Sequence, residues 1–136
     1  MFDADSVSDD QLQRSHGAAR LAFANRDNRN SIVERYASAP VRILTPSVQG
    51  GIPEAVLANT SGGIAGGDTS HIDIRVAQNA QALVTGQAAE KIYRSIDMPA
   101  SIRTVIKIED GSTLEYLPQE SILFDGAKLN RAVNIS

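Results

Sequence analysis

From Ser70 to Ala77 the chain alternates apolar Ile72, Ile74 and Val76 with charged Asp73 and Arg75. Successive side chains on a strand point to opposite faces, so this period of two marks a half-buried β-strand. The same short alternation recurs along the sequence. Leu21 and Phe23 precede the polar turn Arg26 to Asn30, and Ile32, Val33 and Tyr36 follow it, which reads as strand, turn, strand. Pro40 to Thr45 alternates again, Pro46 and Gly50-Gly51 punctuate a loop, and Ala55 to Ala58 leads into a glycine-rich run. Asn79 marks a short turn before a return strand, Ala80 to Thr85. Ser101 to Glu109 is rich in β-branched residues, and Asp110-Gly111 predicts a hairpin with Thr113 to Leu117. Ile122 to Phe124, a turn at Asp125-Gly126 and the alternation Ala132 to Ser136 complete the series. Turn signals every ~8–12 residues predict an all-β fold with few or no helices. Only Gln87 to Ser95, with a Glu90/Arg94 pair at i,i+4 spacing, suits a helix, and it suits an irregular segment equally well.

With 136 residues the chain has room for one domain, which buries roughly two-thirds of its unfolded surface. Aromatic residues make up 4% and Trp is absent, so Ile, Leu, Val and Ala must build the core. The net charge of −3 with scattered basic residues predicts no nucleic-acid or membrane-surface partner. The absence of cysteine removes disulfides, thiolate metal sites and Cys nucleophiles. The acidic first ten residues lack the apolar core of a secretory signal, and no apolar stretch is long enough to span a bilayer. A cytoplasmic location is the expectation. The two Asn-x-Ser sequons then carry no meaning.

Asn59 to Asp68 holds Gly62, Gly63, Gly66 and Gly67, four of the ten glycines. A phosphate loop needs Lys and Ser/Thr after its last glycine, but Asp68 and Thr69 stand there. A dinucleotide fingerprint needs a following helix, whereas a strand follows. The plain reading is a tight corner where chain segments pack closely. Metal ligands are sparse. His71 and Asp73 share a strand face, a pair that is usually solvated, and Asp68 is a carboxylate suited to an ion such as Ni²⁺. His16 lies apart in the terminal region. No nucleophile elbow or Ser-His-acid arrangement is present. Glu115 and Glu120 offer a possible acid–base pair, outweighed by the reading of two solvated acids. Gln87 to Arg94 and Leu114 to Glu120 are dense polar and aromatic patches, and Pro118 ends a strand ahead of Gln119 and Glu120. Both patches suit an interaction surface better than an active site.

Taken in order, Asn-Thr-Ser-Gly-Gly-Ile-Ala-Gly-Gly-Asp at 59–68, the strand pair at 70–85, Gln-Ala-Ala-Glu-Lys-Ile-Tyr-Arg-Ser at 87–95 and Leu-Glu-Tyr-Leu-Pro-Gln-Glu-Ser-Ile-Leu-Phe-Asp-Gly-Ala at 114–127 resemble the urease accessory proteins of the UreD (UreH) class. Pro40-Val41-Arg42 is similar to that family's N-terminal strand. The resemblance covers residues from about 18 to 131. It implies a β-solenoid-like, layered fold with helices in its later part, and no enzymatic activity. It implies binding to the accessory protein UreF, through UreF to the GTPase UreG, and docking of the complex on apo-urease to deliver nickel by an internal route. No tightly bound cofactor is implied; nickel is in transit. On that reading Asp68, Glu90 and Glu120 are candidates along the route. Gly62, Gly63, Gly66, Gly67, Gln87, Lys91, Tyr93, Arg94, Pro118 and Gln119 are the motif and interaction residues. Family members are roughly twice this length, so residues 1–17 are expected as a polar tail and 18–136 as the N-terminal part of a truncated β domain with an open edge. The competing readings are a carbohydrate-active β-helix using Asp68, Glu115 and Glu120, which the shortage of aromatics disfavours, and a purely structural β-module.

Overall fold

The computed structural model describes residues 14–46 and 51–136. The expected loose start of the tail and the centre of the Pro46 to Gly51 loop lie outside the described residues. Within them the chain forms strands β1 (His16–Arg26), β2 (Arg29–Ser38), β3 (Val41–Leu44), β4 (Glu54–Asn59), β5 (Thr69–Val76), β6 (Gln81–Gly86), β7 (Glu90–Ile92), β8 (Ala100–Ile108), β9 (Thr113–Leu117), β10 (Ser121–Leu123) and β11 (Leu129–Ile135). There is no helix among the described residues, in keeping with the all-β expectation. The Gln87 to Ser95 segment holds β7 instead of a helix. Its Ile92 is fully buried, and the backbone of Tyr93 donates to the Ile64 carbonyl at 2.9 Å. A ladder partner and a buried side chain outweigh a weak local helical preference here.

The first hairpin forms as expected. β1 and β2 pair antiparallel with Arg26 opposite Arg29. Asp27 and Asn28 between them have φ of 53° and 60°, the two left-handed residues that a tight hairpin turn needs. The register shifts between Ala22 and Phe23, a bulge in β1.

The other two expected strand-turn-strand units do not pair with themselves. One sheet has the order β11-β8-β5-β1-β2, a second β3-β4-β6-β9, and a third β10-β7. After the hairpin and the antiparallel β3–β4 pair, every ladder is parallel. From β5 onward the chain passes from first sheet to second to third and back in the same order. Ser101 pairs with Thr69 and Thr113 with Gln81, 32 residues on in both cases. The Asn79 and Asp110-Gly111 turns therefore carry the chain across from the first sheet to the second. Their local dihedrals are as the sequence implies, with φ of 60° at Asn79 and 72° at Gly111. What they join is set by burial, because β5, β6 and β8 each find a parallel neighbour one circuit away. The two corners stack: Asn79 N donates to the Asp110 carbonyl at 3.1 Å. A Cβ at position 111 would stand 2.2 Å from Asn79 Oδ1, so close approach as well as φ demands glycine there.

The main core lies between the first and second sheets. Ala19, Leu21 and Phe23 of β1, Ile74 and Val76 of β5 and Ile106 of β8 meet Val41, Ile43, Ala55, Ala82 and Val84. Every second residue of each strand contributes, as the alternation requires. A smaller cluster of Ile64, Ile92, Ala100 and Ile102 fills the corner against the third sheet. β9, β10 and β11 each stand at a sheet edge, and Leu117, Leu123 and Ile135 on them are more than half exposed. Such edges are templates for further pairing.

Ile74→Ala, in the centre of the main core, should cost about 2–5 kcal/mol of stability. Val33→Ala on the exposed face of β2 should stay within about 0.5 kcal/mol. Urea unfolding midpoints of the two variants check both figures.

Candidate functional site

The glycine-rich run connects β4 to β5 and builds a corner. Asn59 Oδ1 accepts from the Ser61 backbone at 2.8 Å, a local turn that competes with continued strand. Ile64 then forms a parallel bridge with Ile92, so the loop supplies one more layer beneath β7. Gly63 has φ of 152°, and a Cβ there would lie 2.3 Å from the Tyr93 ring. The Tyr93 hydroxyl donates to the Gly62 carbonyl at 2.7 Å and clamps the turn. The Tyr93 ring also meets Phe124 edge-on, with centroids 5.1 Å apart. At Gly66 a Cβ would meet Ser95 Oγ at 2.2 Å and the Met98 carbonyl at 2.6 Å. Gly67 N donates to the Pro99 carbonyl at 3.1 Å, and Arg14 Nη1 donates to the Gly66 carbonyl at 2.5 Å. The corner is thus pinned from three neighbouring segments.

Asp68 closes this corner. Its Oδ1 accepts from Ser15 N at 2.9 Å and its Oδ2 from Ala65 N at 2.8 Å. Its carbonyl accepts from Ser101 N at 2.9 Å. The residue is 9% exposed. One carboxylate therefore holds the approach to β1, the glycine loop and, through its backbone, β8. Charge-assisted bonds of this kind to backbone N–H groups are stronger than neutral ones.

A cavity of about 360 Å³ lies between the three sheets. Leu57, Ile72, Ile102 and Tyr116 give it apolar walls, and buried Thr104 adds a hydroxyl. Seven residues singled out in the sequence meet at it: Gly62, Gly63, Gln87, Glu90, Lys91, Pro118 and Gln119. The stacking of the chain brings them together, since β7 lies beside β10 and Gly86 packs on the Gln119 backbone. Glu90 N donates to the Glu120 carbonyl at 2.9 Å, so Glu120 sits just ahead of β10, beside the start of β7. Glu90 lines the cavity, whereas Glu120 is exposed and outside its lining. Asp68 lies at a separate small void beside Ser15, Ile64 and Ile102. Arg94 forms an isolated bridge with Ala127 and packs over Gly126, away from the cavity.

The other ligand pairs do not assemble. Asp73 pairs with Arg75 at 3.3 Å on the surface, and His16 bonds Thr69 Oγ1 at 2.8 Å. Among the described residues no three of His, Cys, Asp or Glu cluster as a metal centre. Glu115 is exposed and alternates with Tyr116, so it faces away from the cavity that Tyr116 lines. Sequence reasoning missed Arg131. Its guanidinium reaches Glu90 Oε2 at 2.6 Å and Ser121 Oγ at 2.7 Å. The available signal was the period of two: Arg131 shares a strand face with Leu129 and Val133.

The family described as UreD urease accessory protein matches residues 15–136. The chain is 41% identical over 131 residues to the urease accessory protein UreD of Paracoccus denitrificans (strain Pd 1222), covering 96% of this chain and 45% of the relative. It is 37% identical to the protein of the same name from Chelativorans sp. (strain BNC1), covering 91% and 45%. Against that of Nostoc sp. (strain PCC 7120 / SAG 25.82 / UTEX 2576) it is 38% identical, covering 90% and 44%. The chain spans less than half the length of these curated relatives.

The geometry sets two expectations. Gly63→Ala should destabilise the fold more than Gly62→Ala, because a Cβ at Gly62 meets nothing within 4 Å whereas one at Gly63 strikes the Tyr93 ring. Asp68→Ala, which leaves two backbone donors without their acceptor, should cost about 1–3 kcal/mol. Thermal unfolding of the three variants ranks them.

Proposed function

Because the chain belongs to the UreD urease accessory protein family, we propose that it serves as a non-enzymatic scaffold for nickel delivery to apo-urease, in the cytoplasm. Its partners on this reading are a UreF-type protein, through it the GTPase UreG, and the urease subunits. Nickel is cargo, held briefly and passed on. The observation that carries the reading is the cavity, at which the Gly-Gly, Gln-Ala-Ala-Glu-Lys and Pro-Gln segments of the family resemblance converge.

The chemistry fits transit better than storage. Apolar walls offer an ion nothing to bind, and one carboxylate cannot fill the coordination sphere of Ni²⁺. An ion in such a space keeps most of its water and meets a single anionic contact, Glu90. Glu120, just ahead of β10, is a second contact outside the cavity. Asp68 acts on the route by shaping its wall: both its oxygens hold backbone N–H groups. It fixes the glycine corner on which Gly62 and Gly63 approach the cavity.

Co-expression with a urease gene cluster tests the reading. The chain should co-purify with the UreF-type protein, and omitting it should lower urease nickel content and activity about tenfold or more, a loss on the scale of one decade of rate. Glu90→Gln should lower nickel content without preventing co-purification. Full nickel loading of urease in the absence of the chain would sink the proposal.

A further inference from the structure

Glu90 and Arg131, which bond each other, both line the cavity, and they do not add up to a cation site. Glu90 is the one acid among the lining residues, and Lys91, next to it on β7, directs its side chain to the opposite face of the strand. The acid is also engaged. Arg131 Nη2 donates to Glu90 Oε2 at 2.6 Å, while Nη1 of the same guanidinium donates to Ser121 Oγ at 2.7 Å. Glu90 and Ser121 are register partners on β7 and β10. A planar fork of fixed donors is suited to such a two-point contact, which a lysine ammonium would not reproduce. The guanidinium comes from β11 in the first sheet and closes on two successive strands of the third. The pair is partly exposed, about one-third for each side chain. It is therefore close enough to solvent to open and exchange, and it is not a buried tie.

We propose that Arg131 masks Glu90, so that the cavity presents no free anionic ligand to a divalent cation until this guanidinium is displaced. The inference rests on the nickel-cargo reading and adds a control to it. A dication approaching Glu90 competes with an arginine already within hydrogen-bonding distance and is repelled by its positive charge. Displacing the guanidinium from Glu90 and Ser121 removes the competitor and exposes a carboxylate in a space of low polarity, where its attraction for a cation is strengthened. Arg131 is a positioning residue on this view. It holds the acid in its unreactive state.

Nickel binding by the purified protein, read by equilibrium dialysis with Ni²⁺ alone, tests this without urease. It can therefore fail or succeed independently of the urease activation assay. Arg131→Gln and Arg131→Met, the latter keeping the aliphatic stem against the cavity wall, should bind Ni²⁺ about five- to tenfold more tightly than the parent. Adding Glu90→Gln to either should abolish the gain. Glu90→Gln alone should leave the parent affinity within about twofold, since the carboxylate is already occupied. Unchanged affinity in folded Arg131 variants would overturn the proposal. So would a gain that survives Glu90→Gln, or a clear loss of nickel binding in Glu90→Gln alone. Failure of both Arg131 variants to fold, judged by circular dichroism, would make Arg131 a structural tie and would equally overturn it.

Discussion

Parallel pairing governs everything else in this molecule. Two parallel strands cannot be joined by a tight turn, so the chain must travel before it returns to its neighbour. In many proteins a helix makes that journey. Here it is made by two further strands, one in each of the other sheets, so that β5, β6 and β7 are followed by β8, β9 and β10 in the same places. Each circuit lays three short ladders on the previous one. The sheets face each other across a narrow interior, and that interior must be filled by small branched side chains. Val84, Ile74 and Ile106 do so where the first and second sheets meet. Where the third sheet turns away, filling is incomplete and the cavity remains.

Corners are the costly parts of such a design, because they bring backbone groups close together without a regular ladder. Each must be satisfied locally. The chain solves this with short polar side chains and glycine. Asn59 and Ser61 bond the backbone at the start of the glycine run, Asp68 holds two N–H groups at its end, and Asn79 nests on the Asp110-Gly111 corner. Among the described residues no buried side-chain nitrogen or oxygen lacks a partner. The same logic gives the two acids of the site different roles. Asp68 spends its acceptors on the fold, whereas Glu90 lines the cavity and meets only a side chain that can leave.

The sequence was most legible where the physics is local. Ile72, Ile74 and Val76 announced β5 by their period, and the polar run Arg26 to Asn30 announced the turn between β1 and β2. Asp110-Gly111 announced a turn with the same clarity but misled about its partners. A turn signal reports dihedral angles at two residues, while strand pairing is decided by which surfaces can be buried together some thirty residues apart. Glu90 to Ile92 was obscured for a related reason, since three residues carry no period and only Ile64 and β10 make them a strand. The resemblance motifs singled out Gln87, Glu90 and Gln119, and the fold brings these three to one cavity. The Glu90–Arg131 contact was illegible because its members lie 41 positions apart and neither is unusual alone.

The stacking of β8 on β5 has a kinetic side as well. Every parallel ladder requires a long segment to close on itself before the first interstrand bond can form, 32 residues from β5 to β8 and 53 from β1 to β5. By chain statistics that closure carries an entropic charge of roughly 3 kcal/mol, apart from a constant, at each circuit. Only the β1–β2 hairpin and the nearby β3–β4 pair escape it, being joined by short connections. A topology of this kind places slow, non-local steps after fast local ones. The hairpin is thus both a lid on one end of the first sheet and the surface on which later circuits can be laid, and among the described residues the only locally closed strand pairs stand at the start of the chain.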